Sequence, residues 1–352
     1  MENGPKPQIT QNDVAQRAGV SRSMVSYVLT GYGRAVAPET RQKILDAINN
    51  LGYRPNKYAQ ALSKGNGRSL ADRHIGIVLC DVEKFLRPYY AEILAGIHLA
   101  AHEKGFHIRF IRFFDELKDP ILYNQLIHGE EICGILLVAL DQSLKTPEDR
   151  QIIDGIRERI DQIVCVEWQM PGLSSVSFDR QNAAFQAVSY LFDQGYRDIV
   201  YLGELDQRVL GFRQAFLERG REAASGSGLD GASGLYIDDA ADMPSGYEAV
   251  QRLHRSRPAL PRAILAGSDE VALGLLLYLH EQRVAVPEEV AVISIDNLEI
   301  AAYAAPPLTT MNVQKRAMGR RAVEMIVNRT AGQNEHALSL LLPVNLVVRK
   351  SA

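Results

Sequence analysis

TQNDVAQRAGVSRSMVSYVL, residues 10–29, has the pattern of two short helices joined by a tight turn. Thr10, followed three residues later by Asp13, is a capping-box start for the first helix, although Glu is commoner than Asp at the second position. Gly19 suits the left-handed position that ends a helix, and Ser21 is a favoured cap for the next one. The stretch therefore predicts a helix-turn-helix unit.

The second helix of this unit has an inward apolar stripe of Val25, Val28 and Leu29. The side chains left to face outward are Arg22, Ser23, Met24, Ser26 and Tyr27. The beginning of such a helix is where side chains meet base edges in the major groove. These residues are therefore candidates for contact with double-stranded DNA.

The N-terminal part of the chain is basic, although the whole chain is acidic. Residues 1–64 hold nine Lys or Arg and four Asp or Glu, a formal charge of +5. The whole chain carries −3, which leaves −8 for the remaining residues. A basic segment releases counterions from phosphates, whereas an acidic one is repelled by them. The charge distribution thus also indicates that the N-terminal part binds DNA.

The chain is predicted to have three parts. Residues 1–54 form a helix-turn-helix DNA-binding headpiece, completed by a helix that starts at Pro38. Residues 55–73 form a short hinge helix and a flexible linker. Residues 74–352 alternate apolar strands with helices in two series, which predicts an α/β body of two lobes with parallel sheets. The expected bounds are about 74–168 and 311–330 for lobe 1, and about 174–296 and 331–352 for lobe 2.

Composition indicates a soluble globular protein, with 46% hydrophobic and 23% charged residues. The cysteines are Cys80, Cys133 and Cys165, an odd number without metal-ligand spacing, which indicates reduced thiols in the cytosol. The N-terminus lacks the apolar core of a signal peptide, and the longest apolar run, residues 132–140, is too short to cross a bilayer. We therefore expect a cytoplasmic protein that makes no contact with membranes.

The motifs of residues 9–63 resemble the headpiece and hinge of the lactose-repressor (LacI/GalR) family. The matching segments are DVAQRAGVS at 13–21, VS at 25–26, TR at 40–41 and LGYRPN at 51–56. The resemblance continues over essentially the full chain. Matching pieces of the body include IGIV at 75–78, RVLGFR at 208–213, SDEVALG at 268–274 and PPLTT at 306–310. It implies an all-α headpiece followed by a two-lobed body similar to periplasmic sugar-binding proteins.

The resemblance also implies contacts to the DNA backbone from the headpiece. Ser21, Ser26 and Thr40 match positions that contact phosphates in the family. Thr10 joins them at the cap of the first helix. All four are also suitable helix caps, and the two roles can coexist.

In the hinge, the resemblance implies DNA contacts from Asn56, Ala59 and Leu62. Leu62 matches an apolar wedge that enters the minor groove and kinks the operator at its centre. The alternative is that Leu62 packs inside an ordinary linker helix. The chain departs from the family at Tyr27, where many members have an Arg that reads guanine. Arg22 can supply such readout from another position, so the operator sequence stays open.

Several strands of the body end in polar residues, at the edge where doubly wound folds bind ligands. The sequence contains no nucleophile–base pair, no His pair and no metal-ligand spacing. We therefore expect a protein that is not an enzyme and has no metal or cofactor.

The resemblance places the effector site of the family on named residues of the body. Arg208 matches an Arg that forks onto ligand hydroxyls or a carboxylate, and Asp296 matches an Asp that accepts two hydroxyl hydrogen bonds, which favours a sugar. The other matched cleft positions are Tyr89, Tyr90, Trp168 and Ser268. The alternatives are a surface salt bridge for Arg208, a helix cap for Asp296 and core packing for the aromatic residues.

Four departures leave the identity of the effector open. Ser268 replaces a usual Asn, Ala241 replaces a frequent aromatic residue, Ser294 replaces a usual Gly, and the loop 81–87 is longer than in most members. A lost aromatic either enlarges the pocket or weakens the stacking of a sugar. A nucleobase effector is the alternative to a sugar.

Together, these patterns predict a transcriptional repressor whose affinity for its operator is controlled by a small molecule bound between the lobes. We expect a homodimer, because two headpieces are needed to span a near-palindromic operator. Whether the effector releases or strengthens DNA binding stays open. A solute-binding module without a role on DNA is the rival interpretation, and the headpiece argues against it.

Overall fold

The computed structural model of the protein describes residues 10–30, 36–51, 73–219, 237–330 and 337–352. The hinge residues Asn56, Ala59 and Leu62 lie outside the described residues, as does most of the predicted hinge and linker.

The chain divides into two compact units, residues 1–72 and 73–352. The first contains three described helices: α1 (Gln11–Ala18), α2 (Arg22–Thr30) and α3 (Pro38–Leu51). Their common core contains Val14, Val25 and Ile44, each fully buried.

Local signals in the sequence set the ends of the first two helices. Thr10 and Asp13 form the predicted capping box at the start of α1. Gly19 has a φ of 66°, the left-handed conformation that a glycine adopts without strain. The Ser21 hydroxyl accepts a hydrogen bond from the amide of Met24 at 3.4 Å, as expected of an N-cap. The predicted helix-turn-helix is therefore confirmed for the described residues.

The second unit consists of two lobes, each built around one six-stranded sheet. Its described strands are β1 (His74–Leu79), β2 (His107–Phe113), β3 (Gly134–Val138), β4 (Ile163–Val166), β5 (Ser174–Phe178), β6 (Ile199–Leu202), β7 (Ile237–Asp238), β8 (Ala263–Ala266), β9 (Ala291–Asp296), β10 (Thr309–Asn312), β11 (Ser339–Leu342) and β12 (Asn345–Val347). Its described helices are α4 (Val82–Leu86), α5 (Pro88–Glu103), α6 (Pro120–Leu126), α7 (Pro147–Arg159), α8 (Arg180–Asp193), α9 (Gln207–Glu218), α10 (Met243–Ser256), α11 (Asp269–Glu281) and α12 (Lys315–Thr330).

The sheet of lobe 1 has the strand order β11-β5-β4-β3-β1-β2, and that of lobe 2 has the order β12-β10-β9-β8-β6-β7. All neighbours are parallel except β10 and β12, which are antiparallel. Every residue of the central strands β3, β4 and β8 is buried, as parallel strands with both faces covered require. This is the predicted α/β architecture.

The expected lobe boundaries need correction, because strand pairing assigns three segments to the other lobe. Lobe 2 does not start at 174, since β5 pairs with β4 in lobe 1 and the chain crosses only after Phe178. Lobe 1 does not resume at 311, since β10 pairs with β9 in lobe 2. Nor does lobe 2 include all of 331–352, since β11 pairs with β5. Three crossings between the lobes remain, as expected.

The long loop between β1 and α5 contains a helix that the sequence did not predict. Asp81 caps α4, and its side chain accepts a hydrogen bond from the amide of Lys84 at 2.7 Å. The helix places Lys84 inside the body, where its side chain is buried. This extra turn lies at the C-terminal end of β1, the edge at which the two lobes face each other.

No helix in the described part of the chain is both long and apolar enough to cross a membrane.

Candidate functional site

The second helix of the headpiece presents its predicted contact residues to the outside. Arg22, Ser23, Met24 and Tyr27 are exposed, Met24 at 42% and Tyr27 at 37%. The Met24 and Tyr27 side chains therefore do not pack in the headpiece core. Ser26 is half-buried.

The remaining headpiece candidates lie at helix ends. Thr10 and Ser21 are exposed, and Thr40 is half-buried in the first turn of α3. Arg22 donates a hydrogen bond to the Gln11 side chain at 3.5 Å, which joins the starts of α1 and α2. The hydroxyls of Thr10 and Ser21 accept hydrogen bonds as helix caps and are also exposed to solvent.

A cleft of about 770 Å³ separates the two lobes of the body. A smaller recess of about 70 Å³ continues it inward. The cleft is walled by residues that follow the C-terminal ends of the strands, where ligands bind in parallel sheets. Of the predicted effector residues, the cleft brings together Tyr89, Tyr90, Trp168, Arg208, Ser268 and Asp296.

Backbone strain is concentrated at this edge. Four non-glycine residues there have positive φ: Ala139 at 53°, Glu167 at 71°, Asp296 at 135° and Asn297 at 57°. Such conformations cost about 1–3 kcal/mol each and persist where the surroundings enforce them. All four directly follow or end a strand, so the strain lies where side chains are aimed into the cleft.

Arg208 is 6% exposed and held by a dense set of acceptors. Its guanidinium donates to both carboxylate oxygens of Asp206 at 2.9 Å, to the Glu204 carboxylate and to the main-chain carbonyl of Gly267 at 2.6 Å. This is not an exposed surface salt bridge, which was the alternative interpretation. Four of its five N–H groups are engaged, so a guanidinium fixed in this way leaves one preorganised donor for a ligand.

Asp296 is 6% exposed and lines the inner recess. Burial, together with the nearby Asp269 carboxylate, raises the pKa of Asp296 well above its usual range, although the amine of Lys315 acts in the opposite direction. Lys315 belongs to α12 of lobe 1, yet its amine donates to the main-chain carbonyl of Asp296 in lobe 2 at 2.6 Å. The predicted effector Asp is therefore also tied to the crossing between the lobes.

Asp269, which follows Ser268, is fully buried and anchors this corner of lobe 2. Its carboxylate accepts from the hydroxyl of Thr310 at 2.6 Å, from the amide of Leu298 at 2.6 Å and from the hydroxyl of Ser294. The departure from Gly to Ser294 thus has a structural reason, since its hydroxyl supplies a donor to a buried carboxylate. Ser268 caps α11 by accepting from the amide of Val271 at 3.2 Å, and it also lines the recess.

The aromatic residues combine core packing with exposure to the cleft. Trp168 is 5% exposed, and its indole donates to the carbonyl of Leu137 at 2.7 Å. Tyr89 and Tyr90 pack edge to face, with ring centroids 5.3 Å apart. Tyr90 is half-buried and lines both the cleft and the recess, whereas Tyr89 lines only the recess.

Sequence reasoning missed several charged residues that connect the lobes. Glu167, after β4, pairs with Arg180 at the start of α8, with 2.7 Å between the Arg180 Nη2 and Glu167 Oε2 atoms. Burial raises the pKa of Glu167, and Arg180 opposes that shift. Glu167 follows β4 of lobe 1, and Arg180 begins the first helix of lobe 2, so only their position directly after predicted strands pointed to the cleft.

Two further missed residues come from the extra helix and its end. The Lys84 amine donates to the Gln142 side chain at 2.8 Å, and Gln142 donates across the cleft to Glu204 at 3.3 Å. Arg87 donates to the carbonyl of Ala241 in lobe 2 at 3.0 Å. Polar contacts at the cleft mouth therefore link the two lobes.

Within the described residues, no group of three or more His, Cys, Asp or Glu side chains could hold a metal ion. The arrangement can instead bind a polar molecule, since charged and hydroxyl groups converge with aromatic faces on one cleft.

Comparisons with known proteins agree with both units. The family model of bacterial regulatory proteins, lacI family, matches residues 10–56, and the model of a periplasmic binding protein-like domain matches residues 188–352. The HTH-type transcriptional regulator CelR of Thermobifida fusca is 30% identical over 100% of both chains. The HTH-type transcriptional repressor PurR of Photobacterium profundum is 26% identical over 97% of this chain and 98% of its own. The solved CelR–cellobiose complex superposes with a TM-score of 0.68 at 28% identity and covers 98% of this chain and 100% of its own.

Proposed function

This chain belongs to the LacI family of bacterial regulatory proteins, and on that basis we propose that it is a transcriptional repressor controlled by a small molecule. The headpiece binds an operator in double-stranded DNA, and the cleft of the body binds the effector. The observation that carries the proposal is the outward face of α2, on which Met24 and Tyr27 are exposed beside Arg22. A repressor of this kind acts in the cytoplasm, where its operator is.

We assign base readout to Arg22, Ser23, Met24 and Tyr27. Contacts to phosphates come from Thr10, Ser21, Ser26 and Thr40. In the hinge, Asn56 and Ala59 contact the DNA, and Leu62 enters the minor groove as an apolar wedge. The geometry of α2 supports the first assignment, because its N-terminal half projects away from the headpiece core.

A sugar is the effector class that the cleft supports best. Arg208 and Asp296 offer a fixed donor and a carboxylate on one recess, and the Tyr90 ring lies beside them. Carboxylates and guanidinium groups that are already oriented bind hydroxyl pairs without further ordering. The CelR structure, similar over nearly the full chain, is a complex with cellobiose.

A homodimer is part of the proposal, since a near-palindromic operator needs two headpieces. An apolar groove of about 360 Å³ between α10 and α11 supports it. Met243 and Leu277 line this groove and are 38% and 53% exposed. A second copy of the chain is the partner that would bury this surface.

The test of DNA binding is a selection of random duplexes by the purified full-length protein at two salt concentrations. We expect enrichment of a symmetric site whose affinity falls as salt rises, because phosphate contacts release counterions. If no duplex sequence is enriched and DNA binding does not depend on salt, the repressor assignment is contradicted.

The effector is tested on the selected operator, with a sugar panel that includes cellobiose. We expect one class of sugar to change operator affinity. Arg208→Lys retains the charge but loses the fork, so it should weaken effector binding about tenfold or more while leaving operator affinity without effector unchanged. The matched control is Arg255→Lys, an exposed residue of α10. An intact effector response in Arg208→Lys would show that Arg208 has another role.

A further inference from the structure

The cleft between the lobes carries more acid than base. Counted as ionised, four cationic side chains and seven carboxylates line the cleft and its inner recess, a formal charge of −3, although burial raises the pKa of Glu167 and Asp296. A site with this charge repels anions and attracts cations, and its low-dielectric walls strengthen both effects. A neutral sugar gains no binding energy from that charge. The charge of the cleft therefore indicates a property of the effector in addition to its hydroxyl groups.

All four cations of the cleft already have partners. Arg208 and Arg180 pair with carboxylates of the cleft. Arg87 donates to a main-chain carbonyl at 3.0 Å, and Lys84 donates to a glutamine side-chain oxygen at 2.8 Å. A carboxylate or phosphate on the effector would therefore have to compete with these contacts.

Acceptors, in contrast, are left over. Glu167 is 4% exposed and uses Oε2 for Arg180, while its Oε1 is buried without a hydrogen-bond partner among the described residues. The hydroxyl of Tyr89, which lines the same recess, also makes no hydrogen bond of normal geometry, but it lies close enough to the Glu167 carboxylate to lower the pKa of that group. A buried polar atom without a partner costs about 1–3 kcal/mol, which a donor on the ligand would recover.

Two more carboxylates lie on opposite rims of the cleft. Asp141 follows β3 in lobe 1, and Asp239 follows β7 in lobe 2; both are exposed and line the cleft. Neither side chain has a hydrogen bond or ion pair to any residue that the structure describes. Like charges on facing rims repel each other, which is unfavourable unless a cation lies between them.

An aromatic face accompanies the acids. Tyr90 lines both the cleft and the recess, and the amine of Lys84 lies 5.9 Å from the centroid of its ring. The ring therefore already accommodates one ammonium group. Carboxylates beside aromatic faces are the combination that recognises amine cations in proteins.

We propose that the effector of this protein carries a protonated amine on a polyhydroxylated skeleton, as an amino sugar does. This inference rests on the proposed function, because it specifies the effector of the same cleft. The amine is recognised by the free oxygen of Glu167 and by the rim carboxylates, and the hydroxyl groups by Arg208 and Asp296.

The test compares three ligands with one β-1,4-linked skeleton: the glucosamine disaccharide, its N-acetylated form and cellobiose. Binding to the full-length protein is measured by calorimetry at neutral pH and two salt concentrations. We expect the amine form to bind about tenfold tighter or more than the two neutral ones, the size of one charge-assisted contact. Added salt should narrow that difference. Equal or tighter binding of cellobiose would overturn the proposal.

Glu167→Gln removes a negative charge inside the cleft. The matched control, Glu148→Gln, removes the same charge at the exposed start of α7. We expect Glu167→Gln to lose most of the preference for the amine and Glu148→Gln to retain it. If Glu167→Gln does not fold, the rim variant Asp141→Asn should reduce the preference instead. A preference that survives every folded cleft variant contradicts the proposal.

Failure of the proposed function gives a different result. Amine-selective binding without any change in operator affinity would contradict effector control and leave the ligand assignment standing. Operator binding that depends on sugar but shows no selectivity for the amine would support effector control and contradict the ligand assignment.

Discussion

At the scale of single residues, the pKa of a carboxylate depends on whether desolvation or hydrogen-bond donors have the larger effect. Asp296 and Glu167 lie among few donors, and burial raises the pKa of each. Asp149, at the start of α7, lies among several hydrogen-bond donors. It accepts from the amides of Lys145 at 3.1 Å and Thr146 at 2.9 Å, and its carboxylate lies 3.0 Å from the amine of Lys118.

The Asp149 carboxylate is predicted to stabilise lobe 1 in a pH-dependent way. The hydrogen bond from Lys118, with those from Thr146, lowers the pKa of Asp149 from 3.8 to about 2. A depressed pKa in the folded state gives stability that is present above pH 3.8 and is lost as pH falls toward about 2. Asp149→Asn should therefore lower the free energy of unfolding at neutral pH, and the difference from the parent should shrink below pH 3.8.

The measurement is urea unfolding at a series of pH values. Asp154→Asn is the control, because Asp154 lies on the same helix, is 62% exposed, and its Oδ1 is 3.9 Å from Arg157 Nη1. A difference for Asp149→Asn that is constant with pH would show that the carboxylate has no such role.

At the scale of elements, the crossing of α5 and α12 depends on two glycines. A methyl group on Gly96 would lie 2.2 Å from the carbonyl oxygen of Arg316, and one on Gly319 would lie 2.2 Å from that of Ile93. The backbones of the two helices therefore approach too closely for any side chain at these positions. This packing fixes α12, which begins with Lys315, against lobe 1.

Gly319→Ala should destabilise the body by about 1–3 kcal/mol, the usual cost of overpacking a buried contact. Urea unfolding of the full-length protein measures it. Gly129→Ala is the control, since Gly129 is exposed and its added methyl group would meet only the Arg159 carbonyl, at 3.2 Å. Equal stability of the two variants would mean that the helices can move apart without loss.

At the scale of the whole molecule, the proposed regulation acts through the relative position of the two lobes. The chain crosses between them three times, after β5, β10 and β11. Lys315 and the Glu167–Arg180 pair cross the same boundary with side chains. A ligand that bridges the lobes changes their relative position only by binding one arrangement better than the other.

The apolar groove of lobe 2 leads to a prediction about assembly. Leu277→Asp should convert the proposed dimer to a monomer, because a charge in an apolar contact cannot be desolvated without cost. Operator affinity should fall about 100-fold or more, since the second headpiece no longer binds as part of one molecule.

Sedimentation and operator titration measure both effects. Ile121→Asp, on α6 of lobe 1 at a position 71% exposed, is the control for a new surface charge. If the Leu277→Asp variant still forms dimers at the concentrations at which the parent protein does, the interface lies elsewhere.

The sequence by itself determined what depends on neighbours along the chain. Helix caps such as Thr10 and Ser21, the turn at Gly19 and the alternation of strands with helices are local, so the headpiece and the α/β class followed from them. The predicted effector positions also reached one cleft, because the ends of parallel strands meet at one edge.

Only the tertiary structure decided which lobe each crossing strand joins, since β5, β10 and β11 are short and their patterns fit either sheet. It alone also paired Glu167 with Arg180, and Lys315 with the carbonyl of Asp296. The physical reason is that strand pairing and ion pairing join residues that are distant in sequence, and no local pattern records the partner.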